Sequence, residues 1–157
     1  WPAPRAKNQR FVTSEQWMMA LKARVFGDQE TLGKILNELD PKKQKELGRQ
    51  VKNFSAEKWD ALSFAAVYVG NALKFGEGAL KERLLETRGY TLVEASPHDK
   101  IWGIGLGEEA PEAATKSSWQ GTNRLGQVLS ELREDMLSGK AEARVKAFIA
   151  ELGIERW

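Results

Sequence analysis

The sequence predicts a mainly α-helical fold, a single compact helical domain over residues 1–157 with at most a few short strands. Three observations lead there. Apolar residues recur at helical spacing along most of the chain, Trp17, Leu21 and Val25 being the first such set. Ser, Thr and Asp stand just ahead of these stripes, where helix N-caps belong. Only one stretch, Tyr90 to Glu94, alternates in the manner of a strand.

Residues 1–12 read as irregular, with Pro2 and Pro4 followed by scattered basic and polar groups. Thr13 or Ser14 caps a first helix, and Gly27-Asp28 ends it and caps a second that carries Leu32, Ile35, Leu36 and Leu39. Asp40-Pro41 supplies a cap and a proline at the first helical position, opening a short polar helix that ends near Gly48. Ser55 caps a longer helix with the stripe Trp59, Leu62, Ala66, Val69 and Leu73. Glycines 76 and 78 break the pattern before Leu80, Leu84 and Leu85 resume it, and Arg88-Gly89 closes that piece. After the short strand, Ala95 to Gly121 is the longest irregular connection, of a kind that often carries function. Beyond Asn123 a helix with Leu125, Val128, Leu129, Leu132 and Met136 runs to Gly139. A last helix covers roughly Ala141 to Leu152.

Composition removes several chemistries. With no cysteine there is no disulfide framework, thiolate metal site or cysteine nucleophile. With His98 alone, a two-histidine metal site is impossible; no metal and no cofactor is expected, because carboxylate-assisted chemistry needs neither. The 24 basic and 22 acidic residues nearly balance, too evenly to argue for nucleic acid by charge. The longest uncharged apolar run, Ala61 to Leu73, falls short of the roughly 20 residues of a membrane span. The start shows no signal-peptide pattern and no Met, so the expectation is a trimmed, cytoplasmic protein without a membrane partner.

Two segments hold candidate chemistry. Glu15 and Lys22 lie seven apart, two helical turns, and project from one face of the first helix. The plain alternative is a solvated ion pair. The run from Val93 to Gly105 sets Glu94, Asp99 and Trp102 where the strand ends. Paired carboxylates beside an aromatic wall suit acid/base work on a sugar, whereas a turn held by Asp99 is the plain alternative. Gly103, Gly105 and Gly107 miss the dinucleotide fingerprint, because Glu108 stands where a third spaced glycine is needed. His98 reads as a surface residue. Arg49, Lys52, Lys74 and Lys81 could take a phosphate, and Trp17, Trp59, Trp102 and Trp119 read as core residues that a base-stacking site would also draw upon.

These segments together resemble the YbiA-like or NADAR family. The resemblance rests on Ser14-Glu15-x-Trp17 with Lys22, Leu47-Gly48-Arg49, Trp59, Lys74-Phe75 and Leu84-Leu85-x-Thr87. It continues through Leu92-Val93-Glu94-x-Ser96-x-x-Asp99-x-x-Trp102-Gly103-x-Gly105, then Gly121-x-Asn123-x-Leu125-Gly126 with Leu132-Arg133. It implies a YbiA-like helical domain and a hydrolase of N-glycosidase type, acting on phosphoribosyl-pyrimidine intermediates of riboflavin synthesis or on ADP-ribosylated guanine bases. The partner implied is thus a ribosylated nucleotide-like small molecule or an ADP-ribosylated nucleic acid. Carried over residue by residue, it assigns catalysis to Glu94, Asp99 and Glu15. Substrate binding goes to Trp17, Lys22, Arg49, Lys74, Trp102 and Asn123. The connection from Leu106 to Gly121 departs from the family by its length and by Glu108, Glu109 and Glu112, which discourage a nucleic-acid backbone. A non-catalytic nucleotide-binding module and a helical protein-interaction domain are the alternatives.

Overall fold

The structure, a computed structural model, describes residues 10–154. It is mainly α-helical: α1 (Ser14–Val25), α2 (Gln29–Asn37), α3 (Pro41–Arg49), α4 (Ala56–Lys74), α5 (Gly78–Glu86), α6 (Arg124–Leu137) and α7 (Ala141–Glu151). Of the irregular start, residues 1–9 lie outside the described residues. Two compact units make up the chain, Trp1–Gly76 with Glu142–Trp157 and, separately, Glu77–Ala141.

In the first unit the caps foreseen in the sequence close the helices. Thr13 accepts the Gln16 N–H, Asp28 that of Thr31, Asp40 that of Lys42 and Ser55 that of Lys58. Helix α1 packs on α2, α3 and α4. Its Met19, Ala20 and Ala23 join Phe26, Leu32, Ile35 and Val51 in one apolar cluster, with Trp59 and Leu47 against it. A second polar layer orients these helices. The buried Gln16 amide donates to the carbonyls of Ile35 (3.0 Å) and Glu38 (3.1 Å), satisfying the end of α2. Gln44, wholly buried, also donates to Glu38 O and accepts from Thr13 Oγ1 at 2.6 Å. In α7, Phe148 packs edge-on to Tyr68 of α4.

In the second unit α5 packs on α6. The buried Arg133 guanidinium reaches back to the carbonyls of Thr87 and Tyr90, filling the acceptors just past the end of α5. The strand expected at Tyr90–Glu94 does not form, and no strand occurs among the described residues. A strand needs a partner ladder, and here a side chain takes that place. Asn123 Nδ2 donates to Leu92 O at 2.9 Å, and its Oδ1 accepts the Glu94 N–H at 3.0 Å. The long connection remains irregular apart from two 3₁₀ turns, Pro111–Ala114 and Lys116–Ser118.

Candidate active site

Each unit carries one group of the candidate residues. In the first, Glu15 stands in the first turn of α1 with its Oε1 sealed from solvent. Two turns on, the half-buried Lys22 ammonium donates to Gly48 O at 2.8 Å, near the end of α3, and lies 4.1 Å from the ring centroid of Phe54. Burial, and then the neighbouring Arg49, holds the Lys22 pKa below the usual lysine value. The structure thus brings Lys22 and Arg49 together as two cations, and neither forms an ion pair with a carboxylate of the described residues. Such a pair is suited to an anion.

Trp17 and Lys74 meet elsewhere in this unit, lining a cleft of about 660 Å³ with Phe11, Ser14, Gly70 and Leu73. Trp17 is 4% exposed and its indole N–H is committed to Ala66 O at 2.8 Å, with Phe11 edge-on at 5.1 Å. Only the ring surface that borders the cleft is left open; the polar end of the indole belongs to the core.

In the second unit, the stretch 94–105 is laced to residues 120–125. The N–H groups of Arg124 and Leu125 donate to the carbonyls of Ile101 and Trp102, both at 3.1 Å, and Asn123 N–H donates to Gly103 O at 3.0 Å. These loop carbonyls occupy the first N–H groups of α6, which its N-cap side chain leaves unmet. The same lacing folds Glu94 and Asp99 together. Ile104 N–H donates to Glu94 O at 3.0 Å and Gly105 N–H to Asp99 O at 3.1 Å. A Cβ at Gly103 would sit 2.9 and 2.8 Å from those two carbonyl oxygens, so only glycine lets the two residues flank it this closely.

Asp99 Oδ1 accepts the N–H groups of Ile101 (2.9 Å) and Trp102 (2.7 Å). The carboxylate therefore shapes the turn as well as offering charge. The half-buried Trp102 ring has the Arg124 guanidinium 5.2 Å from its centroid. Asn123, expected to contact substrate, also has a structural task. It is 4% exposed, sits at φ 53°, and spends both ends of its amide on Leu92 and Glu94. The buried amide positions this segment, and Asn123 also lines an open cleft of about 430 Å³ in the same unit.

Periodicity singles out neither Phe54 nor Arg124. Phe54 is visible in sequence only as a lone aromatic in a polar connection, and Arg124 only as the residue after Asn123. Among the described residues no group of three or more His, Asp or Glu side chains is gathered as a metal would require, and no helix is long and apolar enough to cross a membrane.

The model of the NADAR domain matches residues 2–137. The chain belongs to the NADAR family. This NADAR chain is 47% identical over 126 residues to N-glycosidase R617 of Acanthamoeba polyphaga mimivirus, covering 80% of this chain and 74% of that protein. It is 38% identical over 130 residues to Protein irg-1 of Caenorhabditis elegans, 81% of this chain and 61% of the relative. Similarity to the chloroplastic riboflavin biosynthesis protein PYRR of Arabidopsis thaliana, 36% over 90 residues, covers 57% of this chain and 13% of that much longer protein.

Proposed function

We propose that this NADAR chain is an N-glycosidase that hydrolyses a ribosyl C–N bond in a nucleotide-like substrate. The observation that carries the reading is the loop that brings the backbone of Glu94 and that of Asp99 to the same glycine, Gly103, with Trp102 next to it in the chain. The likeness to a protein named N-glycosidase supports it. In the reaction the C1′–N bond breaks with its electron pair leaving on nitrogen, and positive charge develops on the sugar. One carboxylate stabilises that charge while the other takes a proton from water, whose oxygen bonds to C1′. The proton then passes to the departing base or amine. Asp99 and Glu94 divide these two roles, and Trp102, backed by Arg124, offers a surface for a flat base.

In the first unit, Lys22 and Arg49 are proposed to take a phosphate, with Phe54 fixing the lysine. Glu15 is proposed as a further ligand contact of this unit, with Lys74 and the Trp17 ring at the cleft that they line. Asn123 positions the Glu94 segment, and its place in the lining of an open cleft keeps it in the proposal as a substrate contact too. The chemistry draws on carboxylates and water.

The test is mass-spectrometric detection of a released base or amine. The panel is a phosphoribosyl-pyrimidine intermediate, ADP-ribose, NAD and DNA carrying ADP-ribosylated guanine. Release from one member that disappears in Asp99→Asn supports the proposal and identifies the substrate class. A second reading, a nucleotide-binding module, draws on the two turn hydrogen bonds that engage Asp99 Oδ1. Intact ligands that raise the melting temperature without any release would favour it.

A further inference from the structure

Gly48 is met twice from α1, by two side chains one helical turn apart. Lys22 Nζ donates to its carbonyl at 2.8 Å, and Met19 presses on the place where a side chain would begin. A Cβ at Gly48 would overlap Met19 Sδ and lie 2.7 Å from Met19 Cγ. Residues three apart on a helix share a face, so one stripe of α1 engages one residue of α3 at both points. From this double contact we propose that Met19 and Gly48 are positioning residues, whose packing sets the end of α3 at the depth where Lys22 reaches it and Arg49 stands beside Lys22. The inference rests on the reading of Lys22 and Arg49 as phosphate contacts, and adds the two residues that fix them.

Each contact has its own task. Gly48 O is among the last carbonyls of α3, which have no partner inside the helix. An ammonium there satisfies the acceptor and meets the negative end of the helix dipole. Where that carbonyl lies therefore decides where Lys22 Nζ comes to rest, and Met19 decides where the carbonyl lies. Met19 has little room to yield, being 6% exposed and packed in the apolar cluster with Ala20, Ile35 and Val51. Val51 anchors the chain on the other side of Arg49, and the Lys52 N–H donates to Asp28 Oδ2 at 2.9 Å. Arg49 is thus an exposed residue between two buried anchors, its backbone held and its side chain left in solvent. Glycine is a poor helix former, and the close approach of Met19 is the physical reason for one in the last turn of α3.

Two readouts on the full chain test this: NMR titration of the Lys22 ammonium without ligand, and calorimetric affinity for inorganic pyrophosphate. Gly48→Ala drives a methyl group into Met19 and moves the end of α3 off α1. Water then reaches Lys22 and Arg49 draws away, so the Lys22 pKa should rise toward the ordinary lysine value. Pyrophosphate should bind about tenfold more weakly. Met19→Ala removes the stop from the other side and should move both readouts the same way. In the double variant the new methyl at position 48 takes part of the room left by the thioether, so both readouts should return toward the parent. Two variants that merely loosen the fold show no such rescue. Where Gly48→Ala fails to fold, Met19→Ala and the double variant decide. Readouts unmoved in Met19→Ala, or losses that simply add in the double variant, would overturn the positioning role. Arg49→Gln separates that role from the reading beneath it. If the Lys22 titration shifts and is rescued while pyrophosphate affinity is indifferent to Arg49→Gln, the positioning of Lys22 stands and the phosphate reading falls. If Arg49→Gln weakens pyrophosphate but Gly48→Ala and Met19→Ala leave Lys22 unmoved, the phosphate reading stands and the positioning role falls.

Discussion

The side-chain oxygen of Asn123 accepts the backbone N–H of Glu94 at 3.0 Å, while the other end of the same amide holds Leu92 O. One buried side chain thereby does for this segment what a neighbouring strand would do, and it sets where a proposed catalytic carboxylate begins. Asn123→Asp should keep the bond to Glu94 and lose the donor to Leu92. Stability should fall by about 1–3 kcal/mol, the cost of leaving a buried acceptor unmet. Urea denaturation measures this, and an unchanged midpoint would mean that the amide is dispensable.

Gly126→Ala sets two effects against each other. Alanine in a helix gains about 1 kcal/mol over glycine. A Cβ here, however, would lie 2.1 Å from Leu92 O and 2.4 Å from Asn123 Nδ2. Backbone cannot yield as a flexible side chain can, so the clash wins. We expect a net loss of about 1–3 kcal/mol in the same denaturation experiment.

Asp99 separates fold from chemistry. In Asp99→Asn, the amide oxygen can still accept from Ile101 and Trp102, so the thermal midpoint should remain close to that of the parent. Turnover should drop about 100-fold or more if the carboxylate works as proposed. Asp99→Ala loses both the turn and the charge, and should lower the midpoint as well. Full turnover per folded molecule in the Asn variant would make Asp99 a turn residue only.

Arg49 is exposed and makes no ion pair with the described residues, so Arg49→Gln should alter stability by no more than about 0.5 kcal/mol. It should nevertheless weaken binding of ADP-ribose about tenfold by removing a charged donor. It should also raise the Lys22 pKa, because Arg49 is one cause of its depression. A lysine NMR titration reads that shift, which reports the proximity of the two cations.

Acid stability should depend on Asp28. Its two oxygens accept the N–H groups of Thr31 (3.0 Å) and Lys52 (2.9 Å), and these bonds, that from Lys52 foremost, lower its pKa from 3.8 to about 2. A carboxylate with a depressed folded-state pKa stabilises the fold above its unfolded value. That contribution is lost as pH falls from about 4 to about 2. Glu30, lowered to about 2 by hydrogen bonds from Lys34 and then Lys52, adds loss in the same window. Its ion pairs are exposed, so high salt should erase the Glu30 part and spare that of Asp28. Asp28→Asn should flatten the salt-resistant part of the denaturation midpoint against pH.

Much of the architecture could be read from the chain alone because helices are local. Thr13, Asp28, Asp40 and Ser55 mark starts that the structure keeps, and the interruption before Gly78 falls where glycine weakens a helix. Family membership was also legible, in the order of short motifs from Ser14 to Arg133. The strand at Tyr90–Glu94 was misread for a physical reason. Alternation records which residues suit an extended chain, and it says nothing of what will satisfy the backbone.

What the sequence determined by itself is the set of helices, their caps, and the residue types available for chemistry. What only tertiary structure decided is how each polar group is spent. Asn123 and Trp17 carry donors that a sequence reading can assign to a ligand, yet each donates to a carbonyl, 31 and 49 residues away respectively. Lys22 and Arg49, 27 positions apart in number, become neighbours because the end of α3 packs on α1. Local propensity acts over about one helical turn, whereas burial commits donors and acceptors across the whole fold.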